Sequence, residues 1–334
     1  MKLAALGEVM VELAPQAAGH TPDPSVRTGK PLLRQSFAGD TFNTAVYIAR
    51  SGVEVSYLTL LGDDPYSEEI LTLLHSERID VSAIEQLPGR CPGLYMIQNS
   101  ADGERYFTYW RGESPARALL TPGTQCQLVK SHLQKMDCIY LSGISIAIMQ
   151  RDARAALLEF LREYRQAGGR VAFDSNYRPR LWESPDTARR VVLDFLQQTD
   201  IALLTFEDEQ ALWGDKRPLQ SLKRNSRAGI SELVLKRGAE PVLLQQGGAL
   251  TAVEVPPVSN VVDTTGAGDA FNAGYLGARL QGASAHDSIA AGNRCAAQVI
   301  GYRGAIIPRD QYNDCTRESL SPVGIAADTA DTRV

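Results

Sequence analysis

The sequence predicts an α/β protein with a mostly parallel central sheet covered by helices on both faces and a small projecting β-sheet. Three observations predict this. From Asp137 onward, short apolar runs alternate with helical patterns, the signature of a parallel sheet sandwiched between helices. An aromatic hairpin is inserted among these units, with a turn at Ala101-Asp102-Gly103-Glu104. Near the C-terminal end, Asp263-Thr264-Thr265-Gly266-Ala267-Gly268-Asp269 leads into a helical run. At a helix start, unpaired N–H groups and the positive end of the dipole favour an anion. A carboxylate there has a purpose if the site needs a base beside a developing negative charge.

The first strand is expected at 2–7, with extended chain over 9–13 and a loop rich in Pro, Gly and Thr over 15–30. The apolar start reaches Glu8 without a small-residue cleavage site, so it reads as a buried strand rather than a leader. A short strand at 35–38 precedes Gly39-Asp40-Thr41-Phe42-Asn43 and a helix over 44–51. Residues 53–60 alternate as one strand, and Pro65 opens a helix to about residue 77. The hairpin pairs 93–98 with 105–111. Strands follow at 137–141, 170–174, 200–204 and 232–236, with helices at 152–167, 185–198, 207–213 and 218–228. A hairpin about Gly247-Gly248 joins 241–246 to 249–255, and helices close the pattern at 270–281 and 285–300. Beyond Arg309 the chain is polar and aperiodic and reads as a loosely held tail over 310–334.

Composition narrows the class. The 334 residues suffice for one large domain with a small appendage. Apolar residues make up 44% and charged ones 22%, ordinary for a globular protein. A net charge of −5 without a basic block argues against nucleic acid as partner. No apolar stretch approaches the ~18 residues of a membrane span, and a cytoplasmic location is expected. Five widely spaced cysteines read as reduced thiols, and no two of the four histidines stand at metal-ligand spacing.

Open parallel sheets place their sites at the carboxyl ends of the strands. Ser142-Gly143, Asp174–Arg178 and Lys236–Gly238 all follow strands. No GxxxxGK[ST] and no strand-linked GxGxxG occur, so a bound nucleotide needs another cradle. The N–H groups of Gly266, Ala267 and Gly268 suit an anion hole, and Asp269 suits a base for an attacking hydroxyl, as phosphoryl transfer requires. Arg178 and Arg180 are compatible with an anion-binding fork or a solvated basic loop. Lys236-Arg237-Gly238 suits a nucleotide-pocket floor or an ordinary strand end. Glu207, Asp208 and Glu209 either complement a helix dipole or hold Mg2+ through water.

The segment Asp263–Asp269 with Ala270-Phe271-Asn272-Ala273-Gly274, together with Gly39-Asp40-Thr41-Phe42-Asn43, resembles the signatures of the ribokinase-like (PfkB) carbohydrate kinases. The resemblance covers roughly residues 2–309. It is closest to the branch acting on a keto-deoxy sugar acid, carried by Gly93-Leu94-Tyr95, Tyr109-Trp110-Arg111, Leu141–Ser145, Asp174–Trp182, Ala211–Gly214, Val234–Ala239 and Tyr302–Pro308. It implies a three-layer α/β/α kinase domain over 1–309, with a β-sheet lid from parts of 9–38 and 91–111. The implied reaction is ATP-dependent phosphorylation of the terminal (C6) hydroxyl of 2-dehydro-3-deoxy-D-gluconate to the 6-phospho acid.

By resemblance, Asp269 is the general base and Gly266, Ala267 and Gly268 are the anion hole. Gly39, Asp40 and Asn43 bind substrate hydroxyls, Tyr95 and Tyr109 cover the substrate, and Arg111 and Arg178 hold its carboxylate. Asn176, Lys236, Gly238 and Asn293 line the ATP site with Gly266 and Gly268. Asp208 holds Mg2+ through water, and Asp263 holds a monovalent cation such as K+. Thr205-Phe206-Glu207-Asp208 departs from the family's Asn-x-x-Glu at the metal-phosphate site. The lid face implies a homo-oligomer. The rival expectations are a kinase for a neutral sugar such as fructose or ribose, to which two guanidinium groups offer nothing, and a non-catalytic sugar-acid sensor, which needs no base.

Overall fold

The computed structural model describes residues 1–16, 32–99, 105–121 and 123–317. Fourteen strands are present among them: β1 Lys2–Leu6, β2 Met10–Pro15, β3 Leu33–Ala38, β4 Glu54–Leu58, β5 Leu60–Gly62, β6 Glu85–Leu87, β7 Leu94–Asn99, β8 Arg105–Trp110, β9 Cys138–Ser142, β10 Arg170–Asp174, β11 Ile201–Thr205, β12 Glu232–Arg237, β13 Glu240–Gln246 and β14 Ala249–Val253. The helices are α1 Asp40–Arg50, α2 Pro65–Ser76, α3 Thr124–Leu133, α4 Gly143–Ile148, α5 Arg151–Gln166, α6 Pro185–Leu196, α7 Phe206–Trp213, α8 Pro218–Ser226, α9 Ala267–Leu280 and α10 Ala285–Val299.

The large sheet runs β14-β13-β12-β11-β10-β9-β1-β4 and is parallel from β12 to β4. Its antiparallel edge is the expected hairpin about Gly247-Gly248. Alternate residues of one strand serve opposite cores. Leu3 and Ala5 join Tyr57, Tyr140 and Leu203 under α1, α9 and α10, whereas Ala4 and Leu6 join Ile139, Phe173 and Leu204 under α5 and α6. Both faces are therefore dry, and the central strands read as unbroken apolar runs for that reason. Helix α5 docks Ala153, Leu157, Phe160, Leu161 and Tyr164, one stripe at helical spacing.

The small sheet has the order β3-β2-β7-β8. Its β7–β8 pair is the expected hairpin, with Tyr95 opposite Tyr109 and Leu94 opposite Trp110. The hairpin turn at 101–104 and most of the expected loop at 15–30 lie outside the described residues.

Several expectations need correction. The single strand expected over 53–60 is two, because the chain leaves the large sheet at Thr59 and β5 pairs with β6 instead. Helix α1 starts at Asp40 rather than Thr44, with extended Gly39 before it. Helices α3 and α4 were not expected; α4 is short and rich in Ile, and its start depends on Ser142 Oγ accepting from Ser145 N at 3.2 Å. Residues 310–317 depart from a loose tail: Tyr312 packs on Tyr47 with ring centroids 5.4 Å apart, Cys315 is buried, and Arg294 Nε donates to the Cys315 carbonyl at 3.0 Å. Among the described residues the five cysteines are unbridged, and no helix is long and apolar enough to cross a membrane.

Candidate active site

A cavity of about 1240 Å³ opens between the carboxyl ends of the large sheet, the start of α9 and the small sheet. Into it come Gly266, Ala267, Gly268 and Asp269; Gly39, Asp40 and Asn43; Tyr95, Tyr109 and Arg111; Asn176, Arg178 and Arg180; and Asp208 and Lys236. Segments as far apart in sequence as Glu8 and Ala305 thus share one space.

The turn before α9 is fixed from behind. Asp263 accepts from Thr265 N at 2.8 Å and from Gly304 N at 2.9 Å, which ties the turn to the loop after α10. Gly266 has φ +75°, and a Cβ on it would stand 2.8 Å from the Ala305 Cβ. Only glycine meets both the left-handed backbone and that close approach. The start of α9 thereby borders the cavity, and Ala267 N donates to the Thr264 carbonyl at 3.2 Å.

Asp269 lies in the first turn of α9. Asn43 Nδ2 donates to its Oδ2 at 2.8 Å, so a residue expected to bind substrate hydroxyls also orients this carboxyl. Burial, then the nearby Asp40 carboxylate, pushes the Asp269 carboxyl up to about 8. Asp40 itself accepts from Asn176 Nδ2 at 2.8 Å and is likewise raised by burial. Asn176 takes φ +26°, which an Asn tolerates better than most residues. Gly39 passes so near the Glu8 backbone that a Cβ would stand 2.1 Å from the Glu8 carbonyl oxygen.

The small-sheet wall carries an arrangement that sequence reasoning missed. The Arg111 guanidinium is ion-paired with Glu8, both nearly inaccessible to solvent. Burial raises the Glu8 carboxyl, with Arg111 opposing that shift. Glu12, also buried, accepts from the Tyr95 hydroxyl. Tyr95 and Tyr109 lie with ring centroids 5.6 Å apart, and Arg111 stands 5.8 Å over the Tyr109 ring. Arg178 is the more open guanidinium, with its side chain 51% exposed and 3.6 Å from Asp208 Oδ1.

At the sheet end, Lys236 Nζ donates to Asn272 Oδ1 at 2.9 Å and lies 3.6 Å from Asp174 Oδ1. Asp208 also accepts from Ser175 Oγ at 3.3 Å, and burial, then Asp174, pushes its carboxyl up to about 6. No group of three or more His, Cys, Asp or Glu side chains among the described residues is arranged to hold a metal. Gly238 and Asn293 do not reach this cavity. Gly238, at φ +61°, lies between β12 and β13, and Asn293 on α10 turns its amide to the Glu254 carbonyl at 3.3 Å. Asp174 was expected near the site as part of the 174–178 strand end but with no role, and Asn272 was missed. Asn272 had a legible signal, since it stands three residues after Asp269 on α9.

The profile of the pfkB family carbohydrate kinases matches residues 1–311. The 2-dehydro-3-deoxygluconokinase of Dickeya dadantii is 45% identical over 315 residues, covering 92% of this chain and 96% of that one. Its counterpart from Escherichia coli K12 is 43% identical over 317 residues, covering 92% and 98%. Among solved structures, a fructokinase double mutant from Vibrio cholerae O395, with fructose, ADP and potassium ion bound, superposes with a TM-score of 0.75 at 24% identity, covering 91% of this chain and 93% of that one. A profile match along nearly the whole chain, with relatives at 43% and 45% identity, leads to one assignment: this chain is a carbohydrate kinase of the pfkB family.

Proposed function

We propose that this kinase transfers the γ-phosphoryl group of ATP to the C6 hydroxyl of 2-dehydro-3-deoxy-D-gluconate. The observation that carries the reading is the sharing of one cavity by the Gly266–Asp269 turn and the guanidinium groups of Arg111, Arg178 and Arg180. Relatives at 43% and 45% identity bear the name of that activity. Asp269, once ionised, takes the proton from the C6 hydroxyl, and Asn43 keeps its carboxylate aimed. The N–H groups of Gly266, Ala267 and Gly268 receive the phosphoryl oxygens. Gly39, Asp40 and Asn43 meet the substrate hydroxyls, Arg111 and Arg178 meet the carboxylate, and the small sheet serves as a lid through Tyr95 and Tyr109. This division makes residues 1–309 the catalytic unit.

The nucleotide lies over Asn176, Lys236, Gly266 and Gly268, while Gly238 and Asn293, outside the cavity, border its far end. Asp208 suits Mg2+ held through water, because that ion needs few carboxylates and keeps several waters. Its chemistry there is neutralisation of phosphate charge. Asp263, joining the turn to the Gly304 loop, is the residue for a monovalent cation such as K+. The small sheet's outer face, with Trp110 exposed, suits pairing of two copies, and the location is cytoplasmic.

One observation favours a second reading, a kinase for a neutral sugar: Glu8 already pairs with Arg111, which leaves one fewer free cation for a carboxylate. An ATP-consumption assay across 2-dehydro-3-deoxygluconate, its galactonate epimer, fructose and ribose separates the two. Turnover of the keto-deoxy acids alone is expected; faster turnover of fructose or ribose replaces the acid reading by the second.

A further inference from the structure

Lys236 holds more charge than its surroundings use. It lies one residue before the end of β12 with only 8% of its surface exposed. An ammonium has three N–H donors, and here one is engaged, by Asn272 Oδ1 at 2.9 Å. Its counter-ion is held off: Asp174 Oδ1 lies at 3.6 Å, past hydrogen-bond reach, and that buried oxygen has no hydrogen-bond partner. Asn272 fixes both groups, since its Nδ2 donates to Asp174 Oδ2 at 2.9 Å and to the Tyr140 hydroxyl at 3.1 Å. A buried, half-satisfied ion pair is costly unless something else uses the charge. The ammonium lines the same cavity as the turn, 3.8 Å from where a Cβ on Gly268 would stand. With no side chain at 268, nothing there stands between the ammonium and the N–H groups of the turn.

We infer that Lys236 is a catalytic residue whose ammonium contacts the phosphoryl group as it crosses the anion hole, with Asp174 and Asn272 as positioning residues. This rests on the reading that places phosphoryl transfer at the Gly266–Asp269 turn. In that transfer the acceptor oxygen forms a bond to the γ-phosphorus, and its proton passes to Asp269. The bond from that phosphorus to the β–γ bridging oxygen breaks, and its electron pair leaves with ADP. Charge spreads over the phosphoryl oxygens during the transfer. A cation already in place, in a water-poor site, stabilises that charge without reorganising. The loose contact with Asp174 keeps the ammonium positioned yet available.

The test uses the full chain and begins with wild-type turnover. No turnover of the keto-deoxy acid defeats the substrate reading, and the Lys236 measurements then proceed on whichever sugar is phosphorylated. Lys236→Met is expected to lower kcat by ~10²–10³-fold, as for loss of one preorganised donor, with both KM values held within about threefold. Affinity for ADP with aluminium fluoride, a mimic of the phosphoryl in flight, should fall in parallel with kcat, and affinity for a non-hydrolysable ATP analogue should not. Retained kcat overturns the inference. So does an equal loss for mimic and analogue, which marks a plain nucleotide contact. If Lys236→Met unfolds, Lys236→Ala with added methylammonium decides: restored turnover supports the role, and a folded, unrescued protein overturns it.

Discussion

At the carboxyl ends of β10 and β12, Asp174 and Lys236 are joined through Asn272 of α9 and all three are buried, whereas on β8 Tyr109 and Trp110 remain 46% and 56% exposed. The two walls of the cavity also differ in what lies behind them. The sheet end stands on two cores running the length of the large sheet. Among the described residues the small sheet's buried cluster is Met10, Ala38, Tyr95, Ile97 and Ala305, with Ala14 and Phe107 packed against it. Groups that handle charge in a transition state need positions held to a fraction of an ångström, and a deep core supplies that. A surface that closes over a substrate has to give way, and a thin core permits it.

The comparison breaks first at Asp269. If the sheet end does the chemistry, Asp269→Asn lowers kcat by ~10²–10⁴-fold, the contribution of a general base, and leaves substrate affinity nearly unchanged. Steady-state kinetics beside a binding isotherm show this, and near-normal turnover sinks the mechanism. The pH profile adds a second readout. A base must be ionised, and this carboxyl is pushed up to about 8 in the free protein. Wild-type kcat/KM should therefore climb with pH through a limb near 8, absent from the residual activity of the variant. The sign for stability is opposite. A carboxyl raised in the fold supports stability fully below its ordinary value, and that support is lost as pH rises through the folded value. The ligand-free protein should thus melt at lower temperature as pH goes from 5 to about 8, less steeply in Asp269→Asn.

The next largest effect belongs to the wall where Arg178 stands. A charge-assisted hydrogen bond to a carboxylate contributes about 1.5–3 kcal/mol, so Arg178→Ala should raise KM for the keto-deoxy acid roughly 10–100-fold. For any neutral sugar that is turned over the change should be much smaller. Equal losses on both assign Arg178 a structural part, for which its 3.6 Å approach to Asp208 already offers a basis.

What the sequence disclosed follows the same division. The large sheet was legible because its strands are buried on both faces and its helices carry one apolar stripe each, patterns that survive projection onto one dimension. The Gly266–Asp269 turn was legible because its backbone demands glycine. The ion pairs were not. Glu8 and Arg111 stand 103 residues apart and meet only because β2 pairs with β7 and β7 with β8. A buried charge looks like any surface charge until its surroundings are known. Lys236, Asp174 and Asn272 come from three separate elements, and the loose spacing among them has no counterpart in spelling. Helix α4 stayed hidden for a local reason, since its Gly143-Ile144-Ser145-Ile146 favours a strand as readily as a helix.

The smallest expected effect sharpens the contrast most directly, because it compares two hairpins that the same fold leaves at its periphery. β7–β8 borders the cavity; β13–β14 is the far edge of the large sheet, with β14 exposed along most of its length. Both should exchange amide hydrogens through local opening rather than global unfolding. Ligand that binds only the closed form suppresses the openings that would release it. With the keto-deoxy acid at about ten times its Kd, amides of β7 and β8 should exchange about tenfold more slowly, and those of β13 and β14 at an unchanged rate. Equal protection of both hairpins points to a general tightening of the fold. Protection of neither means that the Tyr95–Tyr109 pair is a fixed wall, and closure over the substrate must then come from another part of the chain.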